Sequence, residues 1–194
     1  MRIAALRLRQ RDGRTCGPSV AVVAGALLDP RYRSSLTGAD AGRSWFAQEQ
    51  VRVHSLVNRV WPRALGTTPM GMARALTLRS RDRGVRYRWR MWRGRRDGLA
   101  DVLDAAGSNW PVPMLIGRWI PRHWVLIVDA SDPAPPCDEP APPCDEPVLH
   151  CYEPSSGEVR TVGVQTVRLG RLRGLGFSRP FVFVVPRLPP QPSP

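Results

Sequence analysis

The chain has 194 residues, enough for one domain of ordinary size with a hydrophobic core. Hydrophobic residues make up 42% of it and charged residues 23%, which excludes a disordered acidic chain and a coiled coil. No apolar run approaches the roughly 20 residues of a membrane-spanning helix, and the first apolar patch is too short for a secretory signal. We therefore expect a cytoplasmic protein without a membrane span. Export by a route that needs no signal sequence is the alternative.

The net charge of +13 is carried by 29 basic residues, all of them arginine. Together with 21 prolines and 17 glycines, this is the composition that a GC-rich coding bias produces. Arginine also binds phosphate through its guanidinium fork, so a polyanionic partner stays open. Because no nucleic-acid-binding motif accompanies the charge, we favour coding bias and solubility over nucleic acid.

The four cysteines are Cys16, Cys137, Cys144 and Cys151. At this chain length they do not form the framework of a secreted disulfide scaffold, and no pair has the close spacing of zinc ligands. We predict neither a metal nor another cofactor. Residues 134–140 recur letter for letter as residues 141–147, and we interpret residues 132–147 as a Pro-rich loop inserted at the surface.

The first part of the chain predicts a short strand over residues 1–8 and then helices. A buried central helix begins at Cys16 and ends at Leu28, because Pro18 suits a first helical turn and the run is apolar nearly all round. Apolar spacing and capping residues predict three further helices. They lie over residues 44–60, from residue 69 after the cap Thr68, and from about residue 99 after the cap Asp97.

The rest of the chain predicts strands. Residues 84–92 alternate and are so basic that we expect an exposed strand, in which Tyr87 and Trp89 share the packed face. Five later segments are rich in β-branched and aromatic residues: 112–117, 124–128, 148–152, 158–162 and 181–185. Helices followed by an antiparallel sheet give the α+β class. We predict one domain over residues 1–186 and a disordered Pro-rich tail over residues 187–194.

Several residues together meet the needs of a thiol nucleophile. Such a nucleophile needs a lowered pKa, which a helix N-terminus and an imidazole supply, a donor for the oxyanion, and often an acid that orients the imidazole. Cys16 lies at a helix start, and Gln10 lies six residues upstream across a turn that contains glycine. His123 begins an apolar strand, and Glu153 follows another. If those strands are antiparallel neighbours, Glu153 lies beside His123.

The order of these motifs resembles that of the papain-like cysteine peptidases. It consists of Gln10, Cys16-Gly-Pro-Ser19, His123-Trp-Val-Leu-Ile-Val128 and Glu153-Pro-Ser-Ser-Gly157. Within that family the chain is most similar to the bacterial double-glycine-leader peptidases and their stand-alone relatives. The resemblance implies a papain-like fold, in which an N-terminal helical lobe carrying the nucleophile packs on a C-terminal antiparallel sheet. It also implies Cys16 as nucleophile, His123 as general base and acid, and Gln10 with the Cys16 N–H as oxyanion hole.

The acid departs from the family pattern, which places Asp where this chain has Glu153. Thirty residues separate His123 from Glu153, and 16 remain once the two seven-residue repeats are removed, which is the length of a short hairpin. This spacing favours Glu153 as the orienting acid. Asp129 and Asp132 are the alternatives.

Each candidate also has a plainer interpretation. Cys16 is then a small buried residue, His123 a strand-edge residue and Gln10 part of a turn. We expect no role for His54, on a polar helix flank, or for His150, within a strand. Asn109 and Trp110 are weak candidates for a contact to the substrate or to a site residue.

The function we predict is a thiol hydrolase that cleaves a peptide or isopeptide amide bond through an acyl-enzyme. The alternatives are an inactive peptidase-like binding module, for which Glu in place of Asp is the hint, and an acyl transferase or glutamine deamidase on the same site. The substrate is then a protein or peptide. The basic segment over residues 79–96 also suggests an acidic macromolecular partner, unless it is only a solvated face. In a less favoured interpretation, the aromatic residues of this segment stack on the bases of a nucleic acid.

Overall fold

The structure is a computed structural model of the chain, and it describes residues 7–13, 15–36, 39–57, 66–131 and 146–188. Most of the predicted first strand, nearly all of the repeat loop and the tail beyond residue 188 lie outside these ranges.

The described residues form helices and one antiparallel sheet. The helices are α1 (Cys16–Leu28), α2 (Pro30–Ser34), α3 (Ala39–Val57), α4 (Pro69–Arg79), α5 (Ala100–Gly107) and α6 (Val164–Arg168). The strands are β1 (Arg86–Met91), β2 (Val112–Gly117), β3 (Pro121–Ser131), β4 (Val148–Glu153), β5 (Glu158–Gly163) and β6 (Arg179–Arg187). The strand order is β1-β6-β2-β3-β4-β5, and every pair is antiparallel. The predicted α+β class is confirmed.

Helix α1 is the buried central helix that the apolar run predicts. All its residues except Leu27 are buried, and it contacts α3, α4 and β3. It ends at Leu28, directly before the Asp29-Pro30 pair, as that pair indicates. The Asp29 side chain then caps the short helix α2, which the sequence did not reveal, by accepting hydrogen bonds from the N–H groups of Arg31 and Tyr32.

The sheet is covered by helices on both faces. Trp124 and Leu126 of β3 pack with α1, whereas Val125 and Ile127, which alternate with them, pack with α5 and α6. Burial of both faces explains why β3 has a continuous apolar run rather than an alternating pattern. Helix α5, predicted with the N-terminal helices, therefore lies on the opposite face of the sheet from α1.

The cap predicted for α5 is wrong. The helix begins at Ala100, after Leu99 in a left-handed conformation with φ of 55°, and Asp97 lies outside it. The Asp97 carboxylate instead binds Arg90 at 2.6 Å and accepts the N–H groups of Arg93 and Leu99. An ion pair with Arg90, which spacing along the chain does not reveal, determines the position of Asp97.

Strand β1 is an edge strand, but it is less exposed than its arginines suggest. Tyr87 is buried and its hydroxyl donates to the Pro111 carbonyl, whereas Trp89 is 44% exposed, so the two do not share one packed face. Arg90 is held between Asp97 and Asp101. Part of the positive charge in residues 79–96 is thus neutralised within the domain.

Other boundaries shift by a few residues. Helix α3 begins at Ala39, before the predicted residue 44, and its predicted last turn over residues 58–60 lies outside the described ranges. Strand β6 extends through Arg187, one residue into the predicted tail. Among the described residues, every helix is too short or too polar to cross a bilayer.

Candidate active site

A close approach between α1 and β3 brings Cys16 and His123 together. A Cβ on Gly17 would lie 2.4 Å from Thr67 Oγ1 and 3.2 Å from Trp124 Cδ1, so only glycine fits there. The Trp124 indole N–H donates to the Thr67 carbonyl at 2.9 Å, which fixes the ring against Gly17. Since Gly17 follows Cys16 and Trp124 follows His123, this contact sets the thiol beside the imidazole.

The thiol, the imidazole and the carboxylate form one buried chain of contacts. His123 Nε2 lies 2.8 Å from Glu153 Oε1, and the Cys16 side chain is close enough to the imidazole to raise its pKa. Because Nε2 is used by Glu153, Nδ1 is the ring nitrogen available to Cys16. Cys16, His123 and Glu153 are 5%, 7% and 6% exposed, so these contacts are formed largely away from water.

The surroundings of His123 favour the imidazolium. Burial alone lowers the pKa of His123, but the hydrogen bonds and negative charges of Cys16 and Glu153 outweigh burial and raise it to about 9. The imidazole is therefore protonated at neutral pH.

Glu153 is held in place as a carboxylate. Burial raises its pKa, but the hydrogen bond to His123 and those from the N–H groups of Ser155 and Ser156, both at 2.8 Å, lower it well below the usual value. The two oxygens therefore have fixed partners, and the extra methylene of Glu relative to Asp still lets the carboxylate reach the ring. The hydrogen bond from this fixed carboxylate holds the orientation of the His123 ring.

The turn after Glu153 also holds the segment that contains Gln10. The Gln10 N–H donates to the Pro154 carbonyl at 2.7 Å, and the Tyr152 hydroxyl donates to the Leu8 carbonyl at 2.6 Å. Gly157 has φ of +72°, and a Cβ there would lie 2.8 Å from the Arg7 carbonyl carbon. One turn thus positions both Glu153 and Gln10.

The Gln10 side chain is free of other hydrogen bonds among the described residues. Its Oε1 atom is buried without a partner. Its amide nitrogen is likewise not engaged by any residue that the structure describes, so it is available to a group at the site. The Gln10 backbone lies against Pro154, the residue that follows Glu153.

No family model, curated protein or solved structure matches this chain. The assignment of the site rests on the residues and their geometry.

Gln50 of α3 joins the Gln10 segment to α1, and sequence reasoning missed it. Its Oε1 accepts the Arg11 N–H at 3.1 Å and the Ser19 hydroxyl at 2.9 Å. The signal was present in the helical spacing, because Gln50 is a fully buried polar residue between Phe46 and Val53 on the apolar stripe of α3. The Ser19 hydroxyl of the Cys-Gly-Pro-Ser motif therefore has a structural role.

Phe177 is the second residue that the sequence did not reveal. Its ring stacks on the His123 imidazole, with centroids 5.3 Å apart and planes inclined by 18°. It follows Gly176, whose φ of 80° turns the chain before β6. The phenyl ring covers one face of His123, and no motif or periodicity near residue 177 points to that contact.

The structure does not bring the other candidates to the site. Asp129 is exposed and accepts the N–H of Ala130, and Asp132 lies outside the described residues. His150 contacts Ser131 and Thr161, and Trp110 packs edge-on against Tyr87.

Two remaining residues are placed as follows. His54 is 7% exposed, so its predicted place on a polar flank is wrong. Asn109 occupies a left-handed turn with φ of 59°. Among the described residues, no cluster of His, Cys, Asp and Glu is arranged to hold a metal ion.

Proposed function

We propose that this chain is a papain-like thiol hydrolase that cleaves a peptide or isopeptide amide bond. The observation that carries the proposal is the buried series of Cys16 at a helix start, His123 within reach of it, and Glu153 at 2.8 Å from His123 Nε2. A thiol, an imidazole and a carboxylate in this order are the parts of a nucleophilic triad.

Acylation begins with the Cys16 thiolate attacking the carbonyl carbon of the amide, while His123 holds the proton. The carbonyl oxygen becomes an oxyanion that accepts hydrogen bonds from the Cys16 N–H and the Gln10 amide. The Cys16 N–H is suited to this, because a first-turn N–H has no acceptor within its helix. His123 then gives its proton to the amide nitrogen, the C–N bond breaks, and the amine leaves a thioester on Cys16.

Deacylation reverses the roles of these groups. Neutral His123 takes a proton from water, and the resulting hydroxide attacks the thioester carbonyl. The tetrahedral intermediate collapses to a carboxylic acid and the Cys16 thiolate, which restores the thiolate–imidazolium pair. Glu153 stays ionised throughout and stabilises the imidazolium at both stages.

The hydrogen bond between Glu153 and His123 supports an enzyme over an inactive binding module. The hint for inactivity was Glu at a position where Asp is usual, yet Glu153 reaches His123 with ordinary hydrogen-bond geometry. Acyl transfer and glutamine deamidation would use the same acyl-enzyme, and the acceptor that attacks the thioester distinguishes them from hydrolysis.

Alkylation of Cys16 by iodoacetamide, followed by mass spectrometry across a pH series, tests the proposal. We expect Cys16 to react faster than glutathione in the same tube at neutral and mildly acidic pH, and to lose this advantage in His123→Ala and, in part, in Glu153→Gln. Cys151 is fully buried and serves as an internal thiol that does not label in the folded chain. Labelling of Cys16 no faster than glutathione, unchanged in His123→Ala, would overturn the proposal.

A further inference from the structure

The hairpin between β2 and β3 carries an exposed apolar tip directly before His123. We call residues 118–122 the hairpin tip. Trp119 is 75% exposed and Ile120 is 53% exposed, and Trp119 is the most exposed large hydrophobic residue among those the structure describes. Neither side chain contributes to either of the two cores. Exposed apolar groups next to a candidate active site indicate a binding surface.

The base of the hairpin tip is held by close backbone contacts. A Cβ on Gly117 would lie 2.0 Å from the Ile120 carbonyl oxygen, so the tight turn requires glycine there. The Gly117 carbonyl accepts from the N–H of Ser178 at 3.2 Å and lies 3.3 Å from its hydroxyl. Ser178 follows Phe177, whose ring stacks on His123. The same short segment therefore contacts both the hairpin and the imidazole.

The tip is also positively charged. Arg118 and Arg122 are exposed, and neither has a carboxylate partner among the described residues. The Arg118 guanidinium lies 5.8 Å from the centroid of the Trp119 ring. These two exposed guanidinium groups flank an aromatic and an aliphatic side chain, and together they are complementary to a peptide that carries an apolar residue flanked by carboxylates.

The position of the tip determines which part of a substrate it meets. Trp119 is four residues from His123, so its backbone is at most about 14 Å away even in a fully extended chain. In the proposed reaction His123 protonates the leaving amine, so the segment on the amine side of the cleaved bond must pass His123. That segment is the part of the substrate nearest to the hairpin tip.

We infer that the hairpin tip binds the leaving-group segment of the substrate, which is an acidic and apolar polypeptide. Trp119 and Ile120 cover an apolar side chain of that segment, and Arg118 and Arg122 bind the carboxylates beside it. The inference rests on the proposed function, because it takes His123 as the proton donor. It adds to that function the chemical class of the substrate segment on the amine side of the cleaved bond.

Binding to Cys16→Ala protein tests the inference without turnover. The probes are two fluorescein-labelled peptides, one with repeated Asp-Leu-Glu-Leu and one with repeated Lys-Leu-Lys-Leu, read by fluorescence anisotropy. We expect the acidic probe to bind more tightly, and Trp119→Ala to weaken it about tenfold. Trp89→Ala is the matched control, since Trp89 is also an exposed tryptophan but lies on β1, three strands from β3.

Two double variants that remove the same charge test whether binding depends on the hairpin tip or only on the general basicity of the chain. Arg118→Gln with Arg122→Gln should weaken binding of the acidic probe about tenfold. Arg86→Gln with Arg88→Gln removes the same charge from exposed positions of β1 and should have little effect. Equal losses in the two double variants, or a Trp119→Ala protein that binds as well as Trp89→Ala, would overturn the inference. So would an oligothymidylate probe that binds more tightly than the acidic peptide and loses affinity in Trp119→Ala.

Alkylation of Cys16 in the wild-type chain distinguishes failure of the inference from failure of the proposed function. A saturating acidic probe should slow this alkylation, and should not slow it in Trp119→Ala. Fast alkylation that depends on His123, with no protection by the probe, leaves the proposed function standing and overturns the inference. Binding that depends on Trp119, with slow alkylation of Cys16, overturns the proposed function and keeps the surface as a peptide-binding site.

Discussion

Gly17 and Trp124 meet where the N-terminal helix joins the sheet. A Cβ on Gly17 would lie 3.2 Å from Trp124 Cδ1, and Thr67 closes the other side at 2.4 Å. Cys16 directly precedes Gly17, and His123 directly precedes Trp124. The close packing of the Trp124 ring against Gly17, which has no side chain, therefore sets the distance between the thiol and the imidazole. The Cys-Gly and His-Trp pairs in the sequence are thus one structural unit.

Replacing Gly17 by Ala should damage both the fold and the site. The added methyl group has no room beside Thr67 and Trp124, so α1 or Trp124 must shift, at a cost of about 1–3 kcal/mol in the free energy of unfolding. Urea unfolding measures the loss, and iodoacetamide measures the reactivity of Cys16. Gly107→Ala at the end of α5 is the control, because a Cβ there meets no atom within 4 Å. A Gly17→Ala protein with the stability of the Gly107→Ala control would show that the contact is not tight.

The pKa of His123 should respond to both of its partners. We expect a value of about 9 in the wild-type chain and lower values in Glu153→Gln and in Cys16→Ala, because each variant removes a negative charge that stabilises the imidazolium. An NMR titration of the imidazole Cε1–H signal measures it directly. An unchanged His123 titration in Glu153→Gln would contradict the assigned pair.

The same pair should make stability depend on pH in a defined direction. His123 has a pKa raised above its ordinary 6.5, so its contribution is full below pH 6.5 and is lost as pH rises towards 9. Glu153 has a lowered pKa, so its contribution is full above its ordinary 4.5 and is lost as pH falls below that. The pair therefore stabilises the fold most between pH 4.5 and pH 6.5.

Urea unfolding of the wild-type chain and His123→Gln across this range checks that direction. The wild type should be more stable than His123→Gln near pH 6, and the difference in unfolding free energy should shrink as pH rises towards 9. The reducing agent is kept constant, so that only protonation changes. A difference that grows with pH over that interval would mean that His123 is neutral in the folded chain.

The sequence predicted those features that depend on local chemistry. An apolar run with Pro18 in its first turn predicted α1, Thr68 predicted the start of α4, and β2 has the predicted bounds. The proximity of Glu153 to His123 followed from adjacent antiparallel strands. What the sequence missed depends on contacts between distant elements. Asp97 pairs with Arg90 instead of capping a helix, and Phe177 stacks on an imidazole 54 positions away in the chain.

Gln50 is a positioning residue, and its replacement should slow turnover while the reactivity of Cys16 as a nucleophile stays nearly unchanged. Gln50→Leu leaves the Arg11 N–H without its acceptor, while the Ser19 hydroxyl keeps the Thr15 carbonyl as an acceptor, and the loss should cost about 1–3 kcal/mol in the free energy of unfolding. The loop that carries Gln10 is then less firmly held against α1, whereas His123 and Glu153 keep their contacts. We therefore expect alkylation of Cys16 to be nearly unchanged and amide hydrolysis to slow about tenfold or more, through kcat rather than KM.

The control for Gln50→Leu is Gln48→Leu, an exposed residue on the same helix whose loss should affect neither measurement. Gln50→Glu keeps an acceptor for both donors, and it should recover part of the hydrolysis rate. Equal losses of alkylation and hydrolysis in Gln50→Leu would show that the residue supports the whole fold rather than the segment that carries Gln10. Loss of hydrolysis alone, with recovery in Gln50→Glu, would show that the segment carrying Gln10, which Gln50 of α3 holds, stabilises the transition state.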